Sequence, residues 1–251
     1  MGKVIVLGSA NAVSDENHEN AHLFLMTDKR NILIDCPGNP VVRIKKAGIK
    51  LNSITDLILT HFHPDHVSGL PLLLLDMWLL GRKAPLPIYG LTHTISRAKK
   101  MMDLFEWEKW PGFFDVEFIS IDELPLQEVI SDSELRLITS PVKHLLPTIG
   151  LRFEFKQNGV VFVYSSDTEP TETVVELANN ADILIHEANG NSLGHSSREQ
   201  CGEIASEAGV KNLYLIHYPT NIAPSVLIGE AQSTFSGPIY VCHDFMEIDL
   251  N

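Results

Sequence analysis

The segment Thr60-His61-Phe62-His63-Pro64-Asp65-His66 constrains this chain more than any other feature. It lies between two apolar runs, Ile54 to Leu59 and Val67 to Leu80. The first run ends in a strand, Leu57–Leu59, and the second reads as part of a helix, His66–Leu80. Three imidazoles and a carboxylate within six residues are costly to gather unless something binds them. A strand–loop–helix corner can aim such side chains at one spot. Borderline cations such as zinc take imidazole and carboxylate ligands at about 2.0–2.2 Å. A solvated polar loop needs neither this density of ligands nor a place at a strand end.

Further strand-like runs recur along the chain: Val4–Leu7, Leu23–Met26, Ile32–Ile34, Ile88–Tyr89, Val116–Ile121, Leu135–Thr139 and Gly150–Phe155, then Val160–Tyr164, Ile183–His186, Leu213–Ile216 and Ile239–Val241. Asp28-Lys29-Arg30-Asn31 and Gln157-Asn158-Gly159 read as hairpin turns. Helical patterns cover Pro40–Ala47, His66–Leu80, Thr92–Glu108, Pro170–Asn179, Ser197–Ala208 and Val226–Thr234. Hairpins mixed with strand–helix units predict an α/β fold of two sheets with helices outside. No repeat, low-complexity tract or linker interrupts residues 1–251, so one domain is expected.

Later strand ends carry more candidate ligands. His144 follows Leu135–Thr139, Asp167 follows Val160–Tyr164, and His217 follows Leu213–Ile216. With His61, His63, Asp65 and His66 they make five imidazoles and two carboxylates. That set suits two divalent metals bridged by Asp167 and a hydroxide, zinc first, manganese or iron as alternatives. His195, in Gly194-His195-Ser196-Ser197, sits in a loop before a helix that Ser196 or Ser197 can cap. His18 and His22 are placed near an N-terminal loop that can rim the cleft, His93 at a helix start, His186 in the core or behind a ligand, and His243 in the closing segment.

The charge pattern narrows the partners. The net charge of −13 argues against a general nucleic-acid binder. Residues 1–110 hold 13 Lys and Arg against 11 Asp and Glu, whereas residues 111–251 hold 6 against 21. Basic residues such as Arg43, Lys45, Lys46, Arg97 and Lys100 read mainly as a solvated helix face. Three cysteines, Cys36, Cys201 and Cys242, suggest no disulfide framework and fit a reducing compartment. The opening apolar run is too short for a signal peptide, and Leu70–Leu80 is too short to span a bilayer. A soluble, cytoplasmic protein with no membrane partner is expected.

These motifs together resemble the metallo-β-lactamase superfamily, and within it the ribonuclease Z-like, phosphodiesterase-type branch. The loop matches the His-x-His-x-Asp-His pattern. Ile32-Leu33-Ile34-Asp35-Cys36 resembles the branch's early strand ending in Asp, and Ile183-Leu184-Ile185-His186-Glu187-Ala188 its His-Glu-Ala strand. Gly194-His195-Ser196-Ser197 resembles its His-Ser-Thr motif, and Leu215-Ile216-His217-Tyr218 its last ligand strand. The resemblance implies a four-layer αββα sandwich with the site at one edge between two mixed sheets. It implies one metal on His61, His63 and His144, another on Asp65, His66 and His217, and Asp167 between them. The branch's tRNA-gripping arm is missing: only 22 residues separate His144 from Asp167. This, with the acidic second half, argues against tRNA as the substrate.

The resemblance further implies a dinuclear hydrolase of a phosphodiester, small-molecule or nucleotide in kind. Asp65 would ligate one metal and orient the hydroxide. His195 would protonate the leaving oxygen or stabilise transition-state charge. Asp35 and Glu187 would orient ligand histidines, with core-edge hydrogen bonding as their competing role. Carboxylic ester or lactone hydrolysis on the same centre, and a non-catalytic metalloprotein, are the alternatives. The stretch Phe105–Phe114 holds five aromatics, a pocket lining, subunit contact or core packing. Together with the apolar run from Leu70 and the family's dimeric habit, it points to a homodimer.

Overall fold

The computed structural model describes residues 2–251. The first half of the chain runs β1 (Lys3–Gly8), β2 (His22–Met26), β3 (Asn31–Ile34), α1 (Pro40–Lys46), β4 (Asp56–Ile58), α2 (Pro64–Val67), α3 (Leu70–Leu79), β5 (Leu86–Leu91), α4 (Thr92–Asp103) and β6 (Val116–Ile121). The second runs β7 (Gln127–Ser131), β8 (Leu135–Val142), β9 (Thr148–Phe155), β10 (Val161–Tyr164), α5 (Glu172–Leu177), β11 (Ile183–Glu187), α6 (Arg198–Glu207), β12 (Asn212–Ile216), α7 (Pro224–Ala231), β13 (Ile239–Val241) and β14 (Glu247–Asp249).

Two seven-stranded mixed sheets result, ordered β14-β1-β2-β3-β4-β5-β6 and β13-β12-β11-β10-β9-β8-β7. Their inner strands are apolar on both faces, and the period of two sorts the side chains. Val4, Val6, Leu23, Leu25, Ile32, Phe162, Tyr164 and Ile185 fill the space between the sheets. Phe153 stacks on Phe162 there, rings 5.6 Å apart. Their neighbours Ile5, Phe24 and Leu33 point outward under the first-half helices, and Val163 and Leu184 under the second-half helices. The layers are therefore helix, sheet, sheet, helix, as the sequence predicts. Both predicted hairpin turns join antiparallel strands, β2 to β3 and β9 to β10. Among the described residues no helix is long and apolar enough to cross a membrane.

Strand direction decides where loops meet. β10, β11 and β12 run parallel. Two antiparallel steps through β9 give β8 the same direction. In the first sheet β3 and β4 are parallel. Functional side chains in such sheets collect beyond the carboxyl ends of parallel strands.

Three sequence expectations need adjustment, and one open choice narrows. The helix expected over His66–Leu80 is broken at Ser68–Gly69. There the Gly69 N–H leaves the helical ladder and donates to the Cys36 carbonyl at 2.8 Å, an approach that a Cβ, 2.6 Å from that oxygen, would block. The helix expected to reach Glu108 ends at Asp103, and Glu106 takes a left-handed conformation before a short 3₁₀ turn. The aromatic stretch is largely packing: Trp107 and Phe114 are buried, and Trp110 stacks on Trp78. Strands β7 and β14 escape the pattern because both are polar edge strands, one bulged between Glu128 and Ile130.

Two buried histidines set an acid limit on this fold. His22 and His186 each donate Nδ1–H to a backbone carbonyl, at 2.8 and 2.7 Å, and each Nε2 is buried without a partner. Burial pushes their pKa down, to about 3 for His22 and about 4 for His186. The unfolded chain, with ordinary histidines near 6.5, binds more protons between those limits. Their contribution to stability is therefore present above pH ~6.5 and lost as pH falls toward 4. Each histidine should steepen the loss by up to about 1.4 kcal/mol per pH unit. Urea unfolding at pH 7, 6 and 5 should show His186→Gln with a shallower slope than wild type; parallel slopes would refute this assignment.

Candidate metal centre

Loops from both sheets converge where their parallel strands end. Three strand ends turn through left-handed backbone at non-glycine residues: Asp35 (φ 60), Ser166 (φ 55) and His217 (φ 54). Such residues are uncommon and collect at functional sites. After β3, the buried Asp35 accepts hydrogen bonds from Thr60 N–H and Thr60 Oγ1, both at 2.8 Å. Its Oδ2 also accepts Nδ1–H of His66 at 2.8 Å. That bond fixes the His66 tautomer and aims Nε2 into the site. After β4, Thr60 leads directly into His61 and His63. Pro64 opens α2, whose first turn presents Asp65 and His66 side by side.

The donors form two adjoining groups. In the first, His63 Nδ1 lies 3.0 Å from His61 Nε2 and 3.1 Å from His144 Nε2. In the second, Asp65 Oδ2 lies 3.6 Å from His66 Nε2 and 3.5 Å from His217 Nε2. Asp167 Oδ2 belongs to both. It is 3.5 Å from His66 Nε2 and 3.4 Å from His217 Nε2, and 3.9 Å from both His61 Nε2 and His144 Nε2. Ligand bonds of about 2.0–2.1 Å in a tetrahedron place neighbouring donors about 3.3–3.4 Å apart. The observed spacings bracket that value.

The polar pattern fits a cation in the second group, where His66 Nε2 faces the Asp65 and Asp167 carboxylates without a hydrogen bond. His66 Nε2, Asp167 Oδ1 and His217 Nδ1 are buried without hydrogen-bond partners. Burial pushes the pKa of His61, His63 and His144 down, which favours neutral, metal-ready imidazoles. His66 differs. Burial opposes its charge, but the Asp167 and Asp35 carboxylates outweigh burial and raise its pKa well above the usual histidine value. Burial likewise opposes the charge on Asp167, and the facing His217 and His66 hold its pKa well below the usual value. The His66 proton is one that a cation would displace.

His195 stands beside these groups. Its ring stacks on His217 at 5.5 Å and meets His144 edge-on at 5.0 Å. Nδ1–H donates to Glu187 Oε1 at 3.0 Å. The buried Glu187 carboxylate also accepts N–H groups of Thr168, Ser196 and Asn189. Burial works against a charge on His195, but the Glu187 carboxylate overcomes it and raises the pKa. Ser197 caps α6 in a reciprocal capping box with Gln200, which pins this loop to a helix start. His195, His217, Asp65 and Asp167 line a cleft of about 230 Å³ with Ala12 and Asn189 at its rim.

All eight residues singled out from the sequence thus meet at one edge between the sheets. Asp35 reaches a donor histidine, as expected; Glu187 instead reaches His195. His18 pairs with Asp15 in the N-terminal loop, while His22, His93, His186 and His243 stay outside the donor groups. The motifs do not mark Thr60, which ties Asp35 to His61 through a 3.1 Å contact to Nδ1. Nor do they mark the Gly194 carbonyl, the acceptor for His144 Nδ1 at 2.6 Å. Thr60's place beside the first histidine is a signal for one, and no local signal marks a backbone carbonyl.

Fold and donor pattern define a metallo-β-lactamase superfamily member of the ribonuclease Z-like branch. The chain is 26% identical over 305 residues to a ribonuclease Z from Methanothermobacter thermautotrophicus, covering 100% of this chain and 97% of that one. The structure resembles the metallo-β-lactamase fold protein YhfI from Bacillus subtilis, at a TM-score of 0.82, 22% identity and 98% coverage of both chains. It also resembles the short form of human tRNase Z, at 0.80 and 22% identity, covering 99% of this chain and 99% of that one. Within the superfamily the chain belongs to the family described as Anti-Pycsar protein Apyc1, whose model matches residues 2–236.

Proposed function

We propose that this protein is a metal-dependent hydrolase of a phosphodiester, with two divalent cations, zinc foremost, in the paired donor groups. His61, His63 and His144 would hold one ion, Asp65, His66 and His217 the other, with Asp167 able to serve both. When bound, such ions supply Lewis acidity toward the phosphoryl oxygen and a water acidic enough to yield hydroxide near neutral pH. The observation that carries the phosphodiester reading is His195 held by Glu187 at the cleft wall. An ester leaving group of high basicity needs a proton, and a carboxylate-held imidazole is suited to deliver one. Asp65 would ligate the second ion and accept a hydrogen bond from a water held there.

A small or cyclic phosphodiester is favoured over tRNA. From His144 to Asp167 the chain goes straight through β9 and β10, with no insertion to grip a large RNA. The name ribonuclease Z among relatives, and the description of a structural neighbour as a diphosphatase of the PhnP family, are consistent with chemistry at phosphorus. A cytoplasmic setting suits three buried free cysteines.

A hydrolysis panel on the zinc-loaded protein tests the reading. Bis-p-nitrophenyl phosphate and cyclic mononucleotides should turn over at least about ten times faster, by kcat/KM, than precursor tRNA or lactones. Faster lactone turnover would move the assignment to carboxylic esters, and no turnover of any member would point to a non-catalytic metalloprotein. Leu72, Leu79 and Leu80 remain exposed on and after α3, a face for a homodimer contact. A monomer mass by light scattering at micromolar concentration would reject it.

A further inference from the structure

Glu169 is a residue that neither the motifs nor the donor groups include. It lies two residues beyond Asp167. Its backbone N–H donates to the Lys143 carbonyl at 2.7 Å. Its Oε1 accepts the Gly194 N–H at 3.0 Å, and its Oε2 pairs with Lys143 Nζ at 2.6 Å. Glu169 thus joins three segments that each carry a site residue: Asp167, His144 next to Lys143, and His195 next to Gly194.

Gly194 carries the connection onward. Its carbonyl accepts Nδ1–H of His144 at 2.6 Å, leaving Nε2 as the His144 donor atom. The peptide comes this close because Gly194 has φ +84 and no side chain. A Cβ there would lie 2.9 Å from His144 Nδ1. A carboxylate on the N–H of the loop that supplies this carbonyl holds the loop in place. We propose that Glu169 is a positioning residue for the first donor group: through Gly194 it fixes the tautomer and orientation of His144 and keeps the His195 loop in register with it. This role rests on the assignment of His144 as a metal donor.

Zinc titration of the whole protein against a chelating chromophore tests both levels separately. His144→Ala should lose one of two ions outright. Glu169→Ala should weaken that same ion about 10–100-fold, the range for losing a partner that orients a ligand, and leave the other ion unchanged. Glu169→Gln keeps an acceptor oxygen and should fall between. Lys143→Ala, which removes only the exposed ion pair, should bind as wild type does. Nitrogen-15 NMR of the imidazoles should show the Nδ1–H tautomer of His144 in wild type and its loss of uniqueness in Glu169→Ala. If His144→Ala loses an ion but Glu169→Ala binds both like wild type, the positioning role is overturned. If Glu169→Ala loses both ions and its zinc-stripped form melts far below the wild-type one, Glu169 is merely structural and the proposal also fails. If His144→Ala keeps both ions, the fault lies in the assignment of His144 itself.

Discussion

Asp167→Ala should reduce bound metal from about two ions per chain to one or none and lower kcat/KM by more than about 10²-fold. The reason is its position. One carboxylate oxygen lies within 3.4–3.9 Å of four imidazole nitrogens drawn from both donor groups. The other carboxylate donor, Asp65, pairs only with His66 and His217, both in the second group. Losing only a partner that orients a ligand costs roughly 10–100-fold, and losing a ligand common to both ions should cost more. The mutation also leaves the buried His66 facing only Asp35 and the more distant Asp65, which weakens the hold on its proton. Elemental analysis after full reconstitution is the direct measurement. Two ions retained, with activity intact, would show that Asp167 does not connect the groups. A near-ultraviolet circular dichroism spectrum like that of wild type would confirm that the loss is local.

His195→Ala should keep both ions and the fold while lowering kcat by roughly 10²–10⁴-fold on substrates with poor leaving groups. The imidazole is held by Glu187 and stacks on His217 but is not needed to complete either donor group. Its cost should track the charge developing on the departing oxygen. An alkoxide leaves poorly without a proton, whereas p-nitrophenolate needs little help. The mutant's deficit should therefore shrink for p-nitrophenyl esters. Equal deficits for both leaving groups would mean that His195 holds the phosphoryl group instead. Loss of an ion would make it a ligand and overturn the seven-residue assignment.

Much of this site is legible in the sequence because its chemistry is locally dense. Four of the seven proposed donors sit within His61–His66, and a run of that kind has few uses besides binding a cation. His144, Asp167 and His217 each follow an apolar run, and strands ending at one sheet edge give that position its meaning. The αββα layering is legible for a related reason. Strands apolar on both faces, such as Val4–Leu7 and Ile32–Ile34, must be covered on both, by a second sheet and by helices. Polar edge strands carry no such pattern, so β7 and β14 leave no trace in it.

Hidden from the sequence is whatever depends on backbone path rather than residue type. Left-handed turns at Asp35, Ser166 and His217 aim side chains that a strand end alone would point elsewhere. The choice of partner for each carboxylate also belongs to the fold: Asp35 serves His66, Glu187 serves His195, and Glu169 ties three loops together. Each of these pairs joins residues that are distant in sequence or separated by a turn whose shape no local pattern encodes. Residue order alone dictates which donor types exist and that two sheets gather them at an edge, because ligand chemistry and hydrophobic periodicity are properties of residues in order. Which donors meet, in which tautomer and at what spacing, is settled in three dimensions, because hydrogen-bond geometry is set by where separate strands end relative to one another.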